Sequence, residues 1–293
     1  MDVTKLINLS KYPINKHNNK RHDLIQKIRT QLNLDGCAII KSFLTPYGVK
    51  EITNEAEGVV DKAHFSHDKT NAYFTKDDPT LDKNDPRRKF YDRSNAFIPA
   101  DNFMPKGALR SIYNFKFFED FIRDCINETK FYKYADPLAD VIINVANEGN
   151  GFPWHFDTNN FTVTLAIQNS SSGGVFQYAP NIRKESENFE EVNKVLEGRS
   201  NKVVSLNLEP GDLQLFKGRY SLHRVSPIQG TIRRYVAIFS YVEEPNMVGS
   251  PVRTKQLYGK VLPIHIERSG FRGDTRESHS FQYELVKPFR KVV

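Results

Sequence analysis

At 293 residues, with 39% hydrophobic and 12% aromatic content, the chain can bury a sizeable core, and its length fits a single domain. No charged stretch leads into an apolar segment and no run of about 18 or more apolar residues occurs, which excludes a signal peptide and a membrane span and predicts a cytoplasmic protein. The 42 Lys+Arg against 35 Asp+Glu leave a net charge of +7. These cations are scattered through Lys16, Lys20 and Arg21, the run Arg87-Arg88-Lys89, and the tail with Lys287, Arg290 and Lys291. A nucleic-acid face would show a basic stripe interleaved with aromatics, so solvated surface charge is the better reading and a small anionic ligand the remaining one. Cys37 and Cys125 have neither metal-ligand spacing nor partners for a disulfide framework, which predicts reduced thiols.

In chain order, residues 18–34 place Leu24, Ile25, Ile28 and Leu32 at helical spacing, and Asp35-Gly36 ends that helix before the strand-like Cys37-Ala38-Ile39-Ile40. Thr45-Pro46 supplies an N-cap and a first-turn proline for a helix of about 18 residues running toward Ala63. From His64 to Pro105 the sequence is polar and punctuated by turn signals, which predicts a long loop, either a substrate lid or a simple excursion. Residues 109–128 read as one helix or two short ones, with Phe115, Phe118 and Phe121 or Ile122 facing the core.

After Asp136-Pro137 the period changes. Strand-like runs at 139–147, 161–168, 174–179, 203–208, 213–216 and 235–242 are separated by turn residues, which predicts a two-sheet jelly roll. A short helix bearing Val192, Val195 and Leu196 interrupts them within 183–201. The expected organisation is one domain over 1–293: a helical part to about 135, a jelly-roll core over about 136–245, and a C-terminal extension over about 246–293.

His155 and Asp157 are two residues apart, so on a strand they share a face and can bind one ion while Phe156 turns into the wall. A second histidine, His223, follows far downstream, and only a later strand of the same barrel could bring it back. Two imidazoles and one carboxylate on one face of Fe(II) leave three positions open, which suits a chelating keto acid and O2. A keto-acid cosubstrate also needs a fixed cation for its far carboxylate, and a guanidinium offers two parallel donors. Arg233 and Arg234 both lie just past His223, and because successive strand residues point opposite ways only one can serve; Arg234 is the choice and Arg233 the alternative.

Trp154-His155-Phe156-Asp157, Gly173-Gly174-Val175-Phe176, Pro210-Gly211-Asp212-Leu213 and His223-Arg224-Val225-Ser226-Pro227, in that order, resemble the iron(II)/2-oxoglutarate oxygenases. Within them the chain is most similar, over roughly residues 75–260, to the subgroup of free-amino-acid (lysine) halogenases and hydroxylases. The resemblance implies a double-stranded β-helix, Fe(II) held by His155, Asp157 and His223, 2-oxoglutarate as cosubstrate, and oxidation of a C–H bond in a free or N-substituted amino acid. Halogenases of this subgroup carry glycine where this chain has Asp157, which argues against halogenation and for hydroxylation. They also use polar residues near the positions of Phe152 and Thr158 to hold a basic amino acid, so lysine or ornithine is disfavoured. An acidic N-substituted amino acid, oxidatively cyclised or desaturated as by kainoid-type synthases, is the alternative suggested by the basic balance.

Smaller assignments follow. Thr164 is a candidate hydrogen-bond donor to 2-oxoglutarate, Arg93 a candidate grip on a substrate carboxylate, and Trp154 a candidate pocket wall or packing residue. His17, His22, His64, His67, His265 and His279 lack partners at telling spacings and read as structural or solvent-facing. Two other classes compete: a non-catalytic jelly-roll binding module, and a zinc hydrolase, which has no need of the trailing arginine. Nucleic acid and membrane are not expected partners, and the sequence leaves the oligomeric state open.

Overall fold

The computed structural model describes residues 1–184 and 186–268. Lys287, Arg290, Lys291, His279 and the rest of the extension beyond 268 lie outside the described residues.

The first long helix, Asn19–Asp35, starts where the Asn18 side chain accepts the Arg21 N–H, and it ends at Gly36, whose φ of 65° suits glycine. It buries Ile25, Ile28 and Leu32 and feeds directly into the strand Cys37–Ile40. Thr45 caps the next helix by accepting the Gly48 N–H, with Pro46 in the first turn. That helix, Pro46–Gly58, is shorter than the sequence suggests; Gly58 and the β-branched pair Val59-Val60 are poor helix formers, and the chain tightens into a single 3-10 turn, Val60–Lys62. Residues 109–128 form two helices, Ala108–Tyr113 and Lys116–Ile126, with Phe118, Phe121 and Ile122 fully buried in the main core.

One expectation is corrected. The segment from His64 to Pro105 is largely a hairpin, His64–Thr70 against Tyr91–Ile98 in unbroken register, and it adds two strands to the edge of the main sheet. Its inward residues include Ser66, Arg93 and Asn95, so a buried strand face reads as a polar loop. The linker 71–90 stays irregular apart from one turn at Pro86–Arg88, as does 99–105 apart from the turn Ala100–Asn102. The part before residue 135 is therefore not purely helical, since three of its strands belong to the barrel.

The main sheet has seven strands in the order Cys37–Ile40, Leu213–Phe216, Thr162–Gln168, Arg234–Phe239, Val141–Ala146, Tyr91–Ile98 and His64–Thr70. The second has four: Val204–Leu206, Phe176–Ala179, Leu222–Val225 and Phe152–His155. All the pairings are antiparallel, and the two sheets together make the double-stranded β-helix expected from the sequence. The run 235–242 divides at Ser240, and its last piece, Tyr241–Val242, pairs with Tyr132–Lys133. The helix inserted between strands is Phe189–Leu196, with Val192 and Val195 buried against Trp154, Tyr73 and Phe156.

At the turn before Leu213, Gly211 has a φ of 95°, and the buried Asp212 carboxylate accepts the N–H groups of Ser42 and Glu209 and pairs with Lys41 Nζ at 2.7 Å. This ties the N-terminal segment to the barrel. Pro251–Tyr258 and Pro263–Glu267 form two C-terminal helices, the first of which covers the added hairpin. Among the described residues no helix is long and apolar enough to cross a membrane. Cys37 and Cys125 are buried free thiols, and burial pushes Cys37 up to about 12.

Candidate active site

His155 closes one strand of the four-stranded sheet and His223 is its cross-strand partner, with ring centroids 4.1 Å apart. Asp157 lies two residues past the end of its strand, so strand alternation is not what aims it. Its backbone N–H donates to Gly218 O at 3.1 Å, and its Oδ2 accepts the Thr162 hydroxyl at 2.6 Å. That leaves Oδ1 facing both rings, 3.6 Å from His155 Nε2 and 3.4 Å from His223 Nε2. Gly218 makes the turn possible, because a Cβ there would lie 1.9 Å from Asp157 Oδ2.

The second nitrogen of each ring is already committed. His155 Nδ1 sits 2.8 Å from Pro153 O and His223 Nδ1 2.9 Å from Ser221 O; a carbonyl can only accept, so Nδ1 carries the proton and Nε2 presents its lone pair inward. Burial, with the neighbouring His223, pushes His155 down to about 4, which keeps that ring neutral. Burial works to raise Asp157, but the facing His223 and His155 outweigh it and hold the carboxyl well below its ordinary range. The three donor atoms lie within 4.8 Å of one another. Two inward-facing imidazole nitrogens and an ionised carboxylate at that spacing fit a divalent iron ion.

The triad opens into a cavity of about 260 Å³. Arg234, Val236 and Ile238 line it from one strand, showing that even positions face inward, and Ser240 just past the strand's end lines it too. Arg234 is 7% exposed, makes no hydrogen bond or ion pair to any described residue, and is lowered to about 10 by burial, so it remains a cation. Gly174 gives it room: a Cβ there would lie 2.8 Å from Arg234 Cδ. Arg233 points outward, toward Glu57. Thr164 also lines the cavity, with its hydroxyl donating to Gln214 Oε1 at 3.0 Å.

Two expected substrate contacts sit elsewhere. Trp154 faces away from His155 into the cluster with Tyr73 and Val192, and Arg224 lies 4.8 Å over its ring. Arg93 is 0% exposed and is not among the cavity-lining residues; its guanidinium stands over the Phe152 ring, 5.4 Å from the centroid. Each guanidinium nitrogen of Arg93 lacks a hydrogen-bond partner in the structure. Burial and the nearby Arg253 bring it down to about 10, partly countered by Asp68.

Sequence reasoning missed three residues. Arg253, on the helix Pro251–Tyr258, lines the cavity beside Phe74. The only signal was Ser250-Pro251, an N-cap and first-turn proline announcing a helix there. Thr162 and Gly218 fall within stretches that resemble the oxygenases, Phe161-Thr162-Val163-Thr164-Leu165 and Phe216-Lys217-Gly218-Arg219, but nothing in the sequence assigned them to steadying Asp157.

The residues 20–255, most of the chain, match the family model described as halogenase D. No curated protein matches the sequence. Among solved structures, SnoN, a non-haem α-ketoglutarate-dependent epimerase from nogalamycin biosynthesis, is similar at 10% identity with TM-score 0.53, covering 76% of this chain and 84% of SnoN. HygX from Streptomyces hygroscopicus, seen with nickel, 2-oxoglutarate and hygromycin B, gives 10% and 0.51 over 75% and 88%. AviO1 from Streptomyces viridochromogenes gives 11% and 0.51 over 79% and 99%. These likenesses agree with the jelly-roll fold, and the span of the family match shows that the chain belongs to the halogenase D family.

Proposed function

We propose that this chain is an iron(II)- and 2-oxoglutarate-dependent dioxygenase that hydroxylates an unactivated C–H bond of a small, amino-acid-like substrate. The observation that carries this reading is the pairing of a three-donor cluster with a buried guanidinium, Arg234, that has no anionic partner among the described residues. His155, Asp157 and His223 would hold the iron, each through one atom. Arg234 would take the far carboxylate of 2-oxoglutarate, with Thr164 beside it on the cavity floor. Iron and keto acid, when bound with O2, supply the oxidising power; the protein decides which bond is presented.

The family name points to halogenation, but Asp157 stands where halogenases of the resembling subgroup carry glycine, which favours hydroxylation. Two guanidiniums, Arg253 on the wall and Arg93 behind Phe152, make a positive corner next to the Phe74 and Phe152 rings that pack on His155. Leaving a buried cation such as Arg93 without an anion is costly, so this corner suits a substrate carboxylate. On this reading Arg253 makes the contact and Arg93 strengthens the field from behind.

The test is anaerobic addition of Fe(II) and 2-oxoglutarate. A weak visible charge-transfer band is expected in the wild type and should vanish in Asp157→Ala and His223→Ala. An unchanged spectrum in the wild type would sink the proposal. With O2 and substrate, product mass separates gain of one oxygen from loss of hydrogen by cyclisation or desaturation.

A further inference from the structure

We infer that the substrate carries a neutral, apolar side chain, seated on a wall formed by Phe97, Ala139, Ile142, Ile238 and Leu257. The inference rests on the oxygenase reading above and deepens it.

Charge accounting on the cavity wall leads there. Among the described residues two carboxylates line it, Asp157 and Asp136. The first faces the two histidines and Thr162. The second is 1% exposed and fully engaged: Oδ1 accepts the Leu138 N–H at 2.8 Å and lies 3.1 Å from His265 Nε2, and Oδ2 accepts the Gly249 N–H at 2.8 Å. An ammonium or guanidinium tail would therefore enter without a counter-charge, at a cost of several kcal/mol. The α-ammonium of an amino acid escapes this, since its own carboxylate is one carbon away.

An acidic tail fails for the opposite reason. Two arginines line the cavity, Arg234 and Arg253. If Arg234 takes the keto acid and Arg253, with Arg93 behind it, takes the substrate's α-carboxylate, no lining cation remains for a second carboxylate.

One part of the wall is an apolar patch. Ile142 and Ile238 are direct cross-strand partners, so their side chains form one patch, and Phe97 stands opposite Asn144 on the next strand. Of the polar groups nearby, Asn144 Nδ2 donates to Ala96 O at 3.1 Å and the Ser240 hydroxyl donates to Ala139 O at 2.7 Å, while the Thr254 hydroxyl and the Tyr134 and Tyr258 phenols carry no charge to pair with an ionised tail. Burying one methylene on such a patch stabilises by about 0.8 kcal/mol, so a tail of three or four carbons would gain a few kcal/mol.

The experiment uses the full chain with Fe(II) and 2-oxoglutarate under anaerobic conditions, titrated with leucine, norleucine, phenylalanine, lysine and glutamate. Perturbation of the charge-transfer band and calorimetric affinity are both followed. Leucine, norleucine or phenylalanine should bind about tenfold or more tightly than lysine and glutamate. If the band forms but lysine or glutamate binds best, or none of the five binds, the apolar-tail inference is overturned and the oxygenase reading stands. If no band forms, the oxygenase reading falls and the inference falls with it. Ile142→Glu, and Leu257→Glu on the covering helix in case the first variant does not fold, should shift preference from norleucine toward lysine. An unchanged preference in a folded variant of both would also overturn it.

Discussion

Arg234 and Gly218 do opposite things at the scale of single residues, one adding a charge and the other removing a Cβ. Arg234→Lys keeps the charge but loses the two-pronged geometry, and charge-assisted hydrogen bonds are worth about 1.5–3 kcal/mol. The KM for 2-oxoglutarate should rise by about tenfold or more while the metal still binds; succinate release at varied 2-oxoglutarate measures it. Gly218→Ala drives a methyl against Asp157 Oδ2, so Fe(II) affinity should fall by about 10–100-fold with an unchanged circular dichroism spectrum. Retained affinity would show that the carboxylate is not held by this turn. The triad was legible in the sequence because ligand chemistry restricts residue type and order. What steadies Asp157 was not, since any residue able to offer a hydroxyl or a missing Cβ looks ordinary until the loops meet. Arg253 was invisible for the same reason: it reaches the cavity only once the C-terminal helix lies across the hairpin.

The hairpin His64–Thr70 with Tyr91–Ile98 shows how an element can hide. Strands are recognised by alternation of apolar with polar residues, and this one buries Ser66, Arg93 and Asn95 instead. The elements that were legible had either caps, as at Asn18, Thr45 and Gly36, or β-branched runs on the barrel's inner strands. A polar buried face implies a trade between stability and binding. A buried charge that the fold leaves unpaired costs stability, and an apolar residue of similar volume removes that cost. Arg93→Met should therefore raise the melting temperature of the ligand-free protein and weaken substrate binding about tenfold or more. Thermal unfolding and the substrate KM check the two halves separately; a lower melting temperature would mean that Arg93 is paired by the fold after all.

Across the whole molecule, the barrel is held from both ends of the chain. Asp212 fastens the N-terminal segment through Ser42 and Lys41 while closing its own turn on Glu209, and Asp136 fastens the last described helix through His265. Asp212→Ala would leave two backbone N–H groups and one lysine without their acceptor, so a loss of about 2–4 kcal/mol is expected in chemical denaturation. On the proposed reading Fe(II) with 2-oxoglutarate would bind only the folded barrel, which brings His223 beside His155 and Asp157. At about 100 times the dissociation constant it should stabilise by about 2.7 kcal/mol, an increase absent from His223→Ala.

Thr162 and Gly218 hold a further possibility. Together they define a small space occupied by the outer half of the Asp157 carboxylate, with a hydroxyl donor on one side and no Cβ on the other. Asp157→Gly would empty that space, free the hydroxyl, and expose an iron position next to the neutral His155 ring. A monatomic anion could fill it without rebuilding the barrel. Chloride should then perturb the anaerobic Fe(II)/2-oxoglutarate band of Asp157→Gly and leave that of the wild type unchanged, which would put hydroxylation and halogenation in this scaffold one side chain apart.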